Sequence, residues 1–105
     1  TKNILLENDI DSTCIHLFDV EKQFQINKEI DLVISLKSMG YHYPLNIYIE
    51  LFRNCCTKNT VFIFDIGENQ YNENYLKNIF DDVKIIYEEN TNNVLRRLCC
   101  KNFKL

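Results

Sequence analysis

The chain has 105 residues, 46% of them hydrophobic, and a formal net charge of -3. That length suits one small domain, and the apolar content excludes a chain too polar to bury a core. An acidic balance without clustered Lys and Arg argues against general nucleic-acid binding, and no apolar run reaches the length of a membrane span.

Lys2–Asn8 reads as a short helix or the end of one, followed by a polar connection, Asp9–Thr13. Cys14–Val20 reads as a strand, with Ile15 and Leu17 inside. His16 alternates with them as a structural histidine. Glu21–Glu29 is polar, a loop or weak helix anchored by Phe24 and Ile26. Ile30–Leu36 is a short apolar run of the kind that forms a buried strand. It leads into Lys37, Ser38, Gly40, a ring cluster at Tyr41, His42 and Tyr43, and the single proline, Pro44.

After Pro44 the period becomes helical. Leu45, Tyr48, Ile49, Phe52, Cys55 and Cys56 recur at three and four residues and define one apolar face. Pro44 suits the first helical turn because it lacks the N–H that would be unpaired there. Thr57–Asn59 ends this helix. Thr60–Ile66 is a strand rich in β-branched and aromatic residues, broken by Gly67. A polar loop from Glu68 passes into a helix with Tyr71, Tyr75, Leu76, Ile79 and Phe80 on one face, ended by Asp81 and Asp82. Val83–Tyr87 and Val94–Cys100 are strands separated by a polar turn, and Lys101–Leu105 is a tail.

Strands alternating with helices imply a parallel α/β sheet. The last two strands share a short connection and no helix, so they are expected to be antiparallel neighbours. Ligands in open α/β sheets sit beyond the carboxyl ends of the strands. The segment after Leu36 is therefore where chemistry is expected.

The five cysteines include two adjacent pairs, Cys55-Cys56 and Cys99-Cys100, with Cys14 apart. An odd count in this pattern is a poor disulfide framework and lacks zinc-site spacing. The expectation is reduced thiols in a soluble, cytoplasmic protein with no metal. The chain starts at Thr1 and has only two glycines. Average usage is ~7%, so a piece of something longer is expected.

The segments IHLFDVEKQF, DLVISLKSMGYHYPL, NTVFIFDIG and KIIYEENTNNVLRRLCC, in this order, resemble the third strand, fourth strand, fifth strand and closing hairpin of class I S-adenosylmethionine-dependent methyltransferases. LKSMGYHYPLNIYIELF is similar to putative sugar O-methyltransferases. The resemblance implies a partial Rossmann-like sheet, parallel strands ending in an antiparallel hairpin, forming the C-terminal half of such a domain. It implies S-adenosylmethionine as cofactor and a small hydroxylated substrate. The glycine-rich cofactor loop has no counterpart in these residues, so binding of the cofactor by this chain alone is expected to be weak or absent. Partners expected are the small-molecule substrate, and another chain or the N-terminal half.

On this resemblance Asp19 and Val20 lie at the adenine of the cofactor, with strand-end capping the plainer role for Asp19. Ser35 and Leu36 lie under the transferable methyl group. Lys37 steers substrate or is plain surface charge. His42 is the candidate general base, since a group titrating near pH ~6.5 can take a proton from an attacking hydroxyl; its plainer role is packing between two tyrosines. Tyr41 and Tyr43 stack on substrate or belong to the core. Asp65 reaches the substrate pocket or serves the turn before Gly67. Asp31 serves structure at its strand's start. Arg96 and Arg97 alternate across the last strand as surface or helix-pairing charges. The alternative to an enzyme is a non-catalytic methyltransferase-like interaction or scaffold module.

Overall fold

A computed structural model of the chain describes residues 2–18, 26, 29–91 and 94–104. Helix α1 (Lys2–Glu7) is followed by a 3-10 turn at Ser12–Cys14. Then come strand β1 (Ile30–Ser35), helix α2 (Asn46–Cys55), strand β2 (Cys56–Gly67), a 3-10 turn at Glu68–Gln70, helix α3 (Glu73–Ile79), and strands β3 (Phe80–Asn90) and β4 (Val94–Phe103). Among the described residues the sheet has the order β1-β2-β4-β3. β1 and β2 are parallel, and β4 is antiparallel to both β2 and β3. It follows that β1, β2 and β3 run in one direction and β4 against them. This is a mixed α/β domain in which a parallel pair is followed by an antiparallel hairpin.

Alternation along β2 explains the layering. Phe62, Phe64 and Ile66 point to one face and are at most 1% exposed. There they meet Ile49 and Phe52 of α2, Leu76 and Ile79 of α3, and Leu98, Cys100 and Phe103 of β4. Phe62 is the hub, with ring centroids at 5.2 Å from Phe52, 4.9 Å from Phe80 and 5.3 Å from Phe103. The apolar spacing expected for α2 is the one that buries it: Leu45, Ile49, Phe52 and Cys55 are all buried. α3 starts where Asn72 accepts the Tyr75 N–H at 3.0 Å, a side-chain cap that relieves one of the helix's free donors.

Several boundaries differ from expectation. Cys14–Val20 is not a strand where it is described. Cys14 ends a 3-10 turn, Ile15–Phe18 has no regular structure, and Asp19 and Val20 lie outside the described residues. A strand needs a ladder partner, and this segment does not bury its apolar residues: Leu17 is 63% exposed, and His16 is exposed rather than structural. Pro44 precedes α2 instead of lying in it, and Leu45 is the cap. Thr57–Asn59 belongs to β2, where the Thr60 hydroxyl accepts the Thr57 N–H and donates to the Ile30 carbonyl. Phe80, Asp81 and Asp82 belong to β3 because Phe80 pairs with Phe103 and is fully buried. The same pairing draws Lys101–Phe103 into β4 rather than a tail.

The scarcity of glycine has a local cause. Both long helices run directly into strands, and their C-caps, Cys56 and Phe80, are extended (φ -103° and -128°) rather than left-handed. Where the backbone does turn left-handed, Asp9, Lys37 and Asn102 do so at φ of 64°, 51° and 56°. The five cysteines are free thiols, Cys14 exposed and Cys55, Cys56 and Cys100 buried. No helix among the described residues is long and apolar enough to cross a membrane.

Candidate functional site

The parallel arrangement brings the ends of β1 and β2 to one edge of the sheet, and the segment Leu36–Pro44 lies across it as a lip. Its backbone is tightly looped. The Ser38 carbonyl accepts the N–H groups of Tyr41, His42 and Tyr43 at 3.0, 2.8 and 3.1 Å, and Gly40 N–H donates to the Tyr43 carbonyl at 2.7 Å. Ser35 Oγ accepts the Met39 N–H at 3.1 Å, which turns the chain out of the strand. The lip is then fastened to the end of β2: Gly67 N–H donates to the Gly40 carbonyl at 3.0 Å, and Gln70 Nε2 to the Tyr41 carbonyl at 3.2 Å.

Gly40 is required here for two reasons. Its φ is +82°, and a Cβ would stand 3.1 Å from the Asp65 carbonyl oxygen. Gly40→Ala should therefore cost at least the ~1–2 kcal/mol of a left-handed L-residue, with further loss from the close approach. Urea denaturation of the variant checks this; an unchanged midpoint would mean that the lip is not held as described.

Beneath the lip lies an ion pair with a fully buried carboxylate. Asp65 is fully buried, and Arg97 grips it with two bonds, Nε to Oδ1 at 2.7 Å and Nη2 to Oδ2 at 3.1 Å. Oδ2 also accepts the Lys37 N–H at 2.9 Å. The pairing follows from register, since Asp65 stands opposite Arg97 in the antiparallel ladder. The bond to Asp65 pushes the Arg97 pKa up. On its other side Arg97 lies 5.5 Å from the ring centroid of Tyr87. The neighbouring Arg96 bonds Glu68 at 2.6 Å and Glu88 at 3.0 Å and sits 4.6 Å from the Tyr71 ring centroid. Its bond to Glu68 likewise raises its pKa.

The lip thus brings together Ser35, Leu36, Lys37, Tyr41, His42, Tyr43 and Asp65, while Asp19 and Val20 fall outside the described residues. Lys37, His42 and Tyr43 are exposed and Tyr41 is half-buried. The His42 ring stands edge-on to Tyr41, with centroids 4.8 Å apart, and is not packed between the two tyrosines. Asp65 has both oxygens occupied and no contact with solvent. Ser35 is engaged in shaping the lip. Arg97 is the site residue that sequence reasoning missed as a partner. The available signal was an aspartate inside the apolar run TVFIFDI, which needs a buried cation, with two arginines in the hairpin strand beside it.

An open cleft of about 250 Å³ lies beside the lip, lined by Pro44, Leu45, Asn46, Ile66, Gln70 and Tyr75. It offers mainly apolar walls with the amide groups of Asn46 and Gln70. Among the described residues no three His, Cys, Asp or Glu side chains are grouped to hold a metal ion. No family model matches the chain, and no curated protein and no solved structure matches it.

Proposed function

We propose that this chain is the substrate-side half of an S-adenosylmethionine-dependent methyltransferase acting on a hydroxyl of a sugar or another small hydroxylated molecule. The observation that carries the reading is the lip: an exposed histidine and two tyrosines held by a clamped loop at the carboxyl edge of parallel strands. The sheet order, a parallel pair continued by an antiparallel hairpin, supports it as the second half of a Rossmann-like sheet.

The described residues do not by themselves build a seat for the cofactor. A cofactor cradle needs glycine backbone open to close approach. Here the Gly40 position is closed by the Asp65 carbonyl, and the Gly67 position by Asn69 and Tyr41. Ser35 Oγ already serves Met39. What the chain supplies is the substrate side. His42 accepts the proton of the substrate hydroxyl on a ring nitrogen, Tyr41 and Tyr43 present ring faces to the substrate, and Lys37 attracts an anionic or hydroxylated group. The clamp at Gly40 and Asp65 keeps these groups in register, which is most of what an alignment-driven transfer needs.

The test is methyl transfer from labelled S-adenosylmethionine to a panel of sugars and small alcohols, using the protein that carries this chain with its full cofactor-binding part. His42→Ala should lower the rate by ~10²–10⁴, the usual contribution of general base catalysis. An unchanged rate would remove the base assignment. Tight binding of the cofactor by the 105-residue chain alone, seen by calorimetry, would overturn the division into halves.

A second reading, a non-catalytic interaction or scaffold module, is favoured by one observation. Leu32 and Ile34 of β1, an outer strand of the sheet among the described residues, are 52% and 59% exposed. A panel with no methyl acceptor, together with stable self-association, would favour it.

A further inference from the structure

We propose that the cleft beside the lip is a seat for a single uncharged ring bearing one hydroxyl, a phenol, rather than for a sugar or a charged substrate. That the bound phenol accepts a methyl group rests on the methyltransferase reading; the seat itself does not.

The cleft lies between the start of α2 and the turn that leads into α3. Leu45 and Ile66, 4% and 1% exposed, close its floor. Pro44, Asn46 and Tyr75 form an exposed rim, and Gln70 is half-buried. At about 250 Å³ the space stands just below the ~300–1,000 Å³ of common ligand pockets, which suits one ring and little more. It sits at the carboxyl end of β2, where Ile66 is the last apolar residue, and open sheets place ligands at such ends. Pro44 follows the lip directly, two residues after His42.

The supply of polar groups selects the ligand. No lining residue is charged, so a phosphate or carboxylate placed here would lose water without gaining a cation. Gln70 Nε2 is already given to the Tyr41 carbonyl at 3.2 Å, which fixes the amide and leaves its Oε1 as an acceptor. The Asn46 amide and the Tyr75 hydroxyl have no hydrogen-bond partner among the described residues. A sugar ring carries a hydroxyl on most of its carbons. Against Pro44, Leu45 and Ile66 several of these would be stripped of water and left unpaired, at a cost for each. A phenol instead presents a flat apolar ring to Tyr75 and Pro44 and has a single hydroxyl to pair with an amide. The chemistry assigned to His42 agrees. An imidazole takes a proton more readily from a phenol, which ionises near ~10, than from an aliphatic hydroxyl, which resembles water at ~15.7.

Binding to the 105-residue chain, followed by amide shifts in nuclear magnetic resonance spectra, tests this with para-cresol, methyl glucoside and glucose phosphate as probes. Para-cresol should saturate and move the amides of Asn46, Gln70 and Tyr75 most. The other two should bind at least about tenfold more weakly. Tyr75→Ala, at a position 39% exposed, should weaken para-cresol about three- to tenfold. Asn46→Ala, at the exposed start of α2, should weaken it by a similar factor, and circular dichroism verifies that each variant is folded. Shifts that do not saturate, that fall away from the cleft, or that both variants leave unchanged would overturn the seat, as would a glucoside bound as tightly as para-cresol. Transfer assays with the full protein separate the two readings. Para-cresol bound but never methylated would keep the seat and remove the transferase. Sugars methylated while para-cresol neither binds nor reacts would keep the transferase and remove the seat.

Discussion

Replacing Arg97 with methionine should destabilise the fold clearly, because it removes the partner of a buried carboxylate. The loss belongs to Asp65. Its side chain has no exposure, while that of Arg97 is 30% exposed. Without the guanidinium, the carboxylate keeps the Lys37 N–H as its hydrogen-bond donor among the described residues. It is then left as a buried charge without its cation. The converse change is milder. Asp65→Asn leaves an acceptor for the Lys37 N–H, and Arg97 can turn its freed nitrogens to solvent. Arg97→Met should therefore be the worse of the two, and Arg97→Met combined with Asp65→Leu should recover much of the loss, since an apolar pair of similar volume replaces a buried ion pair well.

The consequences reach the lip, because the Lys37 amide donates to Asp65. In Asp65→Leu alone, hydrogen exchange at the Lys37 amide should quicken relative to that at Gly67, which bonds the Gly40 carbonyl instead. Urea midpoints at constant slope give the stability terms. Losses below about 1 kcal/mol in both single variants would show that the pair is as weak as an exposed surface bridge.

Much of this arrangement was legible from residue pattern, and the part that was not has a common cause. The strand at Ile30, the helix after Pro44, the strand at Thr60 and the closing hairpin all follow from local periodicity. So does the direction of the strands, since two crossovers and one tight turn leave few alternatives. Errors came where a tertiary contact overrode local pattern. Phe80 reads as a helix-face residue because it follows Ile79 at the right spacing, but its pairing with Phe103 makes it the first residue of a strand. Cys14–Val20 reads as a strand because of its alternation, yet where it is described it forms no strand and Leu17 is 63% exposed. At the site, the ring cluster and Lys37 were visible because the strand's end was. The Asp65–Arg97 pair was not, because it depends on register between β2 and β4, and a two-residue change of register would pair other residues.

Raising the pH above 9 should unfold this protein far more steeply than the exposure of its other groups would suggest. Burial is the main cause, with the adjacent thiols Cys55 and Cys99 adding to it: the thiols of Cys56 and Cys100 are pushed from an ordinary value of 9.0 up to about 12. Both side chains are essentially enclosed, Cys56 at 5% and Cys100 at 0% exposure. The sign follows from which state holds the proton. Below pH 9 the thiols are protonated whether the chain is folded or not, and they contribute no pH dependence. Between 9 and about 12 the unfolded chain releases these protons while the folded chain keeps them. The folded state then binds more protons, so stability falls as pH rises.

Each thiol contributes a slope approaching 1.4 kcal/mol per pH unit, or about 4 kcal/mol over the window. Together they reach ~8 kcal/mol, which is the size of a whole domain's stability, ~5–15 kcal/mol. Unfolding free energies from urea titrations at several pH values across this window measure the slope. Lysines and tyrosines titrate in the same range, so the comparison is with Cys56→Ala combined with Cys100→Ala. That variant starts less stable because of the packing it loses, but its stability should fall by ~8 kcal/mol less across the window. An identical slope in the two proteins would mean that the thiols ionise in the folded state, and that the interior around Phe62 and Leu98 is open enough for hydroxide to reach them.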